Sequence, residues 1–439
     1  MSMYDRLRGV RVRILPMGCR TNLFESEALG CSFTEAGALL TDEEVFDAAV
    51  VVTCSVTSEA DRKCRQNLRR LRRENPDGII IAAACWAQRI SPEEARDLGV
   101  DCLVGNRLKF RIPGIVTEMI EHGRPTEGPR IERVDVQNLK EWDPLYLSAR
   151  RTRTRAFLKI QDGCDHRCAY CIIPDLRGMP VERHPGEILQ EVRMLALSGC
   201  REVVFTGINL GMFGRTSGVS LGDIVRRTGQ VEGIERVRFG SLEPFCLTED
   251  LLEALADTPQ FCPHLHIPLQ SGDPVILEKM GRGYTPGEFE ALVGRARYFL
   301  GEDLHLSTDI IVGFPGETDK AFLSTLEMLE RAGAGKVHVF PFSLREGTPA
   351  SLIDGRLPPR VVRSRMDQAL SMASELLDRY AGRWVGEEVE ILVEKSQGGV
   401  VQGLSSHFLR VRVPGEALQG EITTVVPGDT KKGVLLGMV

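Results

Sequence analysis

Three cysteines within eight residues constrain this chain more than any other stretch. The run GCDHRCAYC places Cys164, Cys168 and Cys171 in a C-x3-C-x2-C spacing. Thiolates this close must be wrapped by one loop around one centre. Three of them can hold three corners of a cubic iron–sulfur cluster and leave its fourth iron without a protein ligand, whereas electron-transfer clusters usually close all four sites with cysteine. An open metal position marks a place for chemistry, as it does on catalytic zinc. The loop follows an apolar pattern, AFLKIQ at 156–161, so it leaves the end of a strand. The competing reading is zinc with His166 as fourth ligand. Zinc sites usually come as two separated Cys/His pairs, and no second pair lies within reach along the sequence.

A chain of 439 residues should hold two or three domains, each with its own core. Its 42% hydrophobic and 26% charged content are those of an ordinary soluble protein. No apolar run reaches the ~18–20 residues of a membrane span, and the start lacks the order of a signal peptide, so a cytoplasmic location without membrane contact is expected. Twelve cysteines in a reducing compartment point to metal or catalysis before disulfides. The net charge is −6, yet the basic residues are clustered, which matters more for a nucleic-acid partner than the total.

Residues 1–124 read as an N-terminal α/β domain with a parallel sheet. Strand patterns at 10–15, 48–53, 79–83 and 102–104 alternate with helical patterns near 24–36, 58–73 and 92–98. Cys19, Cys54 and Cys85 follow three successive strands. Loops at the carboxyl ends of parallel strands gather on one edge, so these cysteines should converge into a second three-thiolate site. Against this stands the frequency with which free cysteine is simply buried. Cys31, Cys64 and Cys102 lie inside elements and read as packing residues. The helix at 58–73 carries Arg62, Lys63, Arg65, Arg69, Arg70, Arg72 and Arg73, a candidate RNA-phosphate surface or a merely solvated face.

Residues 125–149 read as a linker, Pro- and Gly-punctuated and weakly periodic. A second basic cluster follows in Arg150, Arg151, Arg153 and Arg155, next to the cysteine loop in sequence. Residues 150–378 then repeat strand and helix six times, with strands at 156–161, 202–206, 236–240, 264–268, 305–312 and 336–340. Six repeats make a partial (β/α)6 barrel, whose site is built by loops at the C-terminal strand ends. A C-x3-C-x2-C loop leaving the first strand resembles the signature of the radical S-adenosylmethionine superfamily. That resemblance implies a cluster whose open iron binds the methionine moiety of S-adenosylmethionine, cleaving it to a 5′-deoxyadenosyl radical. A nucleoside and an amino-acid head group need glycine for close approach and polar ends for hydroxyls and amine. Thr206, Gly207, Glu243 and Gln270 are the candidates, with the turn from Gly313 to Gly316 beside the adenine; each could equally be a turn or cap residue.

Residues 379–439 change to short alternating strands separated by glycines, the pattern of a small β-barrel. Alternation over Phe408–Val413 sends Leu409, Val411 and Val413 inward and Phe408, Arg410 and Arg412 outward. An aromatic and two guanidiniums on one face suit single-stranded RNA, although a solvated face would look the same.

Together, GCRTNLFESEAL, VTCSVTSEADRKCRQ, ACWAQ, FLKIQDGCDHRCAYCIIP, LHIPLQSG, IIVGFPGET and HVFPFSLREGTPA resemble the methylthiotransferases, and most closely their MtaB group, across essentially the whole chain. The C-terminal segment is similar to a TRAM RNA-binding domain. The resemblance implies methylthiolation at C2 of N6-threonylcarbamoyladenosine, position 37 of tRNA. It implies two 4Fe-4S clusters, one on Cys164, Cys168 and Cys171 and an auxiliary one on Cys19, Cys54 and Cys85, together with S-adenosylmethionine, an external electron donor and a sulfur source. The chemistry would be cluster-based, with no catalytic side chain, in a monomer. The sequence departs from the family pattern at Asp175-Leu176, at Asn209, and at Ala84, where glycine usually precedes the third cysteine. Competing substrates are N6-isopentenyladenosine-37 of tRNA and a ribosomal-protein aspartate. A non-enzymatic iron–sulfur RNA-binding protein is the alternative from another class.

Overall fold

The computed structural model describes residues 6–148 and 154–437. Arg150, Arg151 and Arg153 of the second basic cluster lie outside these residues. The chain divides into two compact units, the first built from 6–148, 157–166 and 171–183, the second from 154–156, 167–170 and 184–437. No helix among the described residues is long and apolar enough to cross a membrane.

The first unit is organised by a six-stranded sheet in the order Leu39–Leu40, Arg11–Pro16, Ala48–Thr53, Ile79–Ala84, Cys102–Val104, Arg130–Glu132. Every neighbouring pair is parallel. Ala48–Thr53 and Ile79–Ala84 are buried at every position, as central strands covered on both faces must be. The helices Arg20–Glu35 and Ser58–Glu74 flank the sheet; Thr57 caps the second by accepting from the Ala60 N–H. Arg130–Glu132 lies within the stretch expected to be linker. It is three residues long and half-exposed, too short and polar for its pattern to announce a strand.

Ala84 adopts φ +75°, ψ −144°, a region that glycine enters freely and a Cβ resists. The chain holds it because Cys85 must turn directly from strand into the helix Cys85–Arg89. Ala84→Gly is therefore expected to stabilise the first unit by about 1 kcal/mol, the released strain exceeding the entropy that glycine adds to the unfolded chain. The urea midpoint of the metal-free protein checks this.

In the second unit Arg155 and Ala156 lead into a three-stranded sheet with Glu202–Thr206 and Arg236–Phe239. His264–His266, His305–Val312 and Lys336–Pro341 form another, and their neighbouring pairs are parallel. Parallel bridges Val237↔Phe261 and Ser241↔His266 connect the two sheets into the expected six-strand partial barrel. Helices between strands start at Ser220, Thr248, Asp273, Thr285 and Thr318, each of which accepts a backbone N–H three residues on. After the long helix Pro359–Gly382 comes a six-stranded, mostly antiparallel sheet around Val389, Ile391, Val393, Val401, Leu409, Val411 and Leu435. Its end strands Ile422–Val425 and Asp429–Lys431 each pair on one side only among the described residues, so hydrogen bonds do not close the expected barrel.

Phe408 corrects the expected RNA face. The strand Arg410–Pro414 starts after it; Leu409, Val411 and Val413 are buried and Arg410 and Arg412 exposed, as alternation predicts. Phe408 instead sits in a turn at φ +62° and stacks on His264, centroids 4.2 Å apart. The cations of Arg155, Lys336 and Arg238 surround its ring at 5.0–5.8 Å. Arg238 also donates to the carbonyls of Ser405 and Ser406, and Arg236 to that of Leu404, so the C-terminal sheet is anchored on the strand Arg236–Phe239.

The same junction buries His305 and His407, whose imidazoles are pushed down by burial to about 3 and about 4. Both are neutral when folded and titrate near 6.5 when released, so the unfolded chain binds more protons below pH 6.5. Their contribution is complete above pH 6.5 and shrinks on acidification, by up to about 2 kcal/mol per imidazole at pH 5. Hydrogen exchange of the strand Arg410–Pro414 should accelerate between pH 6.5 and 4 after correction for intrinsic rates. His305→Gln should flatten that dependence.

Candidate cluster sites

Cys19, Cys54 and Cys85 emerge at the carboxyl ends of three adjacent parallel strands. Cys19 is the N-cap of Arg20–Glu35 without using its side chain, Cys54 follows Thr53 directly, and Cys85 opens Cys85–Arg89. Asn22 fastens two of these turns, donating to the carbonyls of Met17 (2.6 Å) and Thr53 (2.9 Å). Thr53 Oγ1 accepts from the N–H groups of Trp86 and Ala87, tying in the third. Gly18 must lack a side chain, since a Cβ there would lie 2.6 Å from the Cys54 sulfur.

The three thiols sense one another. Burial pushes Cys54 up to about 12, and the charges of Cys85 and Cys19 add to that. Burial likewise raises Cys85, Arg177 opposing and Cys19 reinforcing the shift. Buried thiols that resist ionisation, as those of Cys54 and Cys85 do, need a cationic centre to become thiolates, which is the requirement an iron–sulfur cluster meets. Cys31 and Cys102 are fully buried, and so is Cys64, whose thiol donates to the Cys54 carbonyl at 3.3 Å; all three match the packing expectation.

A buried ionic network, not anticipated from sequence, supports this trio. Arg177 directs Nε at the Cys85 sulfur (3.3 Å), Nη2 at Asn22 (2.8 Å), and Nη1 at Glu25 (3.0 Å) and Asp162 (3.1 Å). Lys159 bridges Glu25 (2.8 Å) and Asp162 (3.0 Å), Lys109 bridges Asp143 (2.9 Å) and Glu25 (3.5 Å), and Arg107 lies 3.8 Å from Asp162. Four cations thus face three carboxylates, leaving positive charge beside Cys85 that suits an anionic thiolate set. Burial opposes the Arg177 charge, yet Cys85, Glu25, Asp162 and Cys19 hold its pKa well above the usual guanidinium value.

The same unit carries two cysteines of the C-x3-C-x2-C loop. The Cys164 N–H donates to the Gly178 carbonyl at 3.0 Å, one residue from Arg177. Ile172 and Leu176, just beyond Cys171, pack against Cys85. Leu176 therefore fills space against the trio at a position where the sequence departs from the family pattern.

In the second unit Arg282 lies with Nη1 3.4 Å from the Cys168 sulfur and pairs with Glu243. Burial disfavours its charge, but Tyr170, Glu243, Tyr284 and Cys168 raise its pKa. The Tyr284 hydroxyl donates to the carbonyls of Pro268 (2.9 Å) and Leu269 (2.8 Å), which positions the segment before Gln270. Gln270 is held at φ +65° by backbone bonds to Asp309 (2.8 Å) and Ile311 (3.0 Å). Thr206 ends its strand, buried, with Gly207 next. The Gly313 N–H is engaged by Glu317 (2.9 Å), itself bound by Arg365 (2.6 Å), and Phe314 is buried against Ala169 and Met280. These contacts fix the turn that follows the strand His305–Val312.

Arg69, Arg70 and Arg73 are exposed on Ser58–Glu74. Arg62, Arg65, Arg69, Arg72, Arg73 and Arg96 line a surface groove of about 720 Å³. Arg62, Arg65 and Arg72 have carboxylate partners, and Arg70 lies 3.6 Å from Glu74, whereas Arg69 and Arg73 have no ion pair among the described residues.

Residues 158–329 match the radical SAM superfamily, and residues 11–105 match a family described as Uncharacterized protein family UPF0004. The chain is 34% identical to the threonylcarbamoyladenosine tRNA methylthiotransferase MtaB of Thermotoga maritima, over 97% of this chain and 96% of that protein. It is 36% identical to the tRNA-2-methylthio-N(6)-dimethylallyladenosine synthase of a Parafrankia species, over 89% and 79% respectively. Among solved structures, the radical S-adenosylmethionine methyltransferase TsrM from Kitasatospora setae shares the fold, with a TM-score of 0.61 at 16% identity over 79% of this chain and 77% of that one. Relatives with both substrate names align along most of this chain at nearly equal identity, so what they share is the reaction type. This chain belongs to the radical S-adenosylmethionine methylthiotransferase family, whose radical chemistry runs on a 4Fe-4S cluster and S-adenosylmethionine.

Proposed function

We propose that this enzyme replaces the C2 hydrogen of N6-threonylcarbamoyladenosine at position 37 of tRNA with a methylthio group. The observation carrying the reading is the gathering of Cys19, Cys54 and Cys85 beside a positively charged network that also touches the C-x3-C-x2-C loop. The C2–H bond of adenine is too strong and too weakly acidic for side-chain bases, so cofactors must carry that step. Cys164, Cys168 and Cys171 would hold one 4Fe-4S cluster, and Cys19, Cys54 and Cys85 an auxiliary one. When bound, these clusters and S-adenosylmethionine supply radical generation and sulfur activation.

The chain's own residues prepare both sites. Arg177 and Arg282 place fixed positive charge 3.3–3.4 Å from the sulfurs of Cys85 and Cys168, and at Cys85 that charge opposes the effect of burial. Asn22 and Thr53 lock the three strand-end turns, so the ligands are ordered before metal arrives. Glu243, held by Arg282, and Thr206, Gly207 and Gln270 at the strand ends are proposed to bind S-adenosylmethionine; an external reductant and a sulfur source complete the requirements.

Support for the threonylcarbamoyl substrate comes from relatives named for it that match over nearly their whole length, 96% and 92%. The dimethylallyl substrate is the second reading, favoured by a relative named for it that is 36% identical over 89% of this chain. Anaerobic incubation with tRNAs carrying either modification, S-adenosylmethionine and dithionite decides between them. Methylthiolated product only on threonylcarbamoyladenosine is expected; product only on the dimethylallyl tRNA would transfer the assignment. Formation of 5′-deoxyadenosine separates an enzyme from an iron–sulfur RNA-binding protein.

For RNA we propose phosphate contacts from Arg69, Arg70 and Arg73, with Arg410 and Arg412 on the C-terminal sheet. Replacing Arg69 and Arg73 together by alanine should weaken tRNA binding and reduce the slope of log affinity against log salt by about 2, one unit for each phosphate that is no longer neutralised. An unchanged slope in fluorescence anisotropy would remove this surface from the proposal.

A further inference from the structure

We propose that His266, Asp309 and His338 form a binding site for one divalent first-row transition-metal ion inside the second unit, built without any cysteine. The residues lie on three adjacent parallel strands, His264–His266, His305–Val312 and Lys336–Pro341. Asp309 is paired directly with His338, and His266 with Ser307, two positions before Asp309. Side chains two apart on a strand share a face, so the sheet itself delivers all three to one side. One ligand atom from each lies within 4.8 Å of the others.

The decisive detail concerns His266. It is 9% exposed, and its Nε2 is 2.9 Å from an Asp309 oxygen, yet that nitrogen makes no hydrogen bond. Two polar atoms at contact distance, with the imidazole nitrogen not directed at the oxygen, form the edge of a coordination polyhedron. Ligands about 2.1 Å from a common ion and at right angles to each other lie ~3 Å apart. The rings of His266 and His338 are stacked 5.4 Å apart and inclined by 22°, so their edges run nearly parallel. The Asp309 main chain is fixed by the Gln270 N–H, which donates to its carbonyl at 2.8 Å.

The donor set selects the ion. Two imidazoles and one carboxylate suit Fe²⁺, Mn²⁺, Co²⁺ or Zn²⁺ over Ca²⁺ or Mg²⁺, and the absence of sulfur distinguishes the site from one built of thiolates. Three protein ligands leave open positions, and half-buried Asp309 and His338 give an ion and an oxygen ligand access to them.

Titration of cluster-loaded, oxidised protein with Mn²⁺, followed by loss of the free-ion EPR signal, tests the proposal, because Mn²⁺ competes poorly for thiolates. One equivalent should bind, and Asp309→Asn should weaken it by more than about tenfold, with exposed Glu302→Gln unchanged. Zinc-edge X-ray absorption of wild-type protein loaded with one equivalent of Zn²⁺ should show nitrogen and oxygen neighbours with imidazole scattering and no sulfur. No Mn²⁺ binding, equal binding by Asp309→Asn, or a sulfur shell around zinc would each overturn the site. The absorption experiment needs no variant, so misfolding of Asp309→Asn leaves the decision intact.

Discussion

Cys85→Ala is expected to lower bound iron from about eight to about four atoms per chain, since the proposed auxiliary four-iron cluster loses a ligand and the other proposed cluster does not. Methylthiolated tRNA should fall below detection while S-adenosylmethionine is still cleaved to 5′-deoxyadenosine. The separation follows from the proposed ligand sets: Cys85 belongs to the strand-end trio, and the loop proposed to generate the radical keeps Cys164, Cys168 and Cys171. Cys168→Ala should abolish both products. Iron analysis, Mössbauer spectroscopy and chromatography of the two products read these outcomes together. A Cys85→Ala protein with full iron and full methylthiolation would remove the auxiliary cluster from the mechanism.

Arg177→Met should destabilise the first unit by about 3–5 kcal/mol, the cost of breaking a buried ionic network by removing one partner. Arg177 is fully buried and touches Glu25, Asp162, Asn22 and Cys85, so its removal leaves two buried carboxylates to Lys109, Lys159 and Arg107 and breaks the hydrogen bonds that fix them. Burial opposes ionisation of Glu25, yet Arg177, Lys109 and Lys159 hold its carboxyl at about 2 against an ordinary 4.5. In the wild-type chain that stabilisation is complete above about pH 4.5 and is lost as pH falls towards 2. Without Arg177 the Glu25 pKa should rise towards 4.5, so the carboxyl contributes less stability and its loss on acidification is complete at a higher pH. Trp86 and Trp142 lie in this unit, so urea titration by tryptophan fluorescence reports its unfolding. Arg177→Lys should recover part of the stability without the hydrogen bond to Asn22, because an ammonium cannot reproduce the guanidinium fork.

Much of this architecture is legible in the sequence because it rests on periodicity. Ala48–Thr53 and Ile79–Ala84 are uninterrupted apolar runs, and a cysteine directly after each declares its place at a parallel sheet's edge. The six central strands repeat with helix starts such as Thr285-Pro286 between them, which fixes the partial barrel. Pairing between distant charged residues is not legible. The spacing of Glu25 from Asn22 and Leu29 puts it on the buried face of its helix, and Lys159 closes the strand Arg155–Lys159 after three apolar residues, but neither pattern names the partner. Phe408 misleads for a different reason: alternation holds only within a strand, and the left-handed turn at Phe408 precedes the first strand residue, Arg410. Arg130–Glu132 joins the first sheet through backbone bonds that demand little of its side chains, so composition hides it.

Mass spectrometry of tRNA nucleosides from a strain lacking this protein tests the central claim most directly. The account predicts that 2-methylthio-N6-threonylcarbamoyladenosine disappears, that unmodified N6-threonylcarbamoyladenosine accumulates, and that the wild-type gene restores the product where a Cys85→Ala gene does not. Wild-type levels of the methylthio nucleoside in the deletion strain, or full restoration by the Cys85→Ala gene, would contradict it.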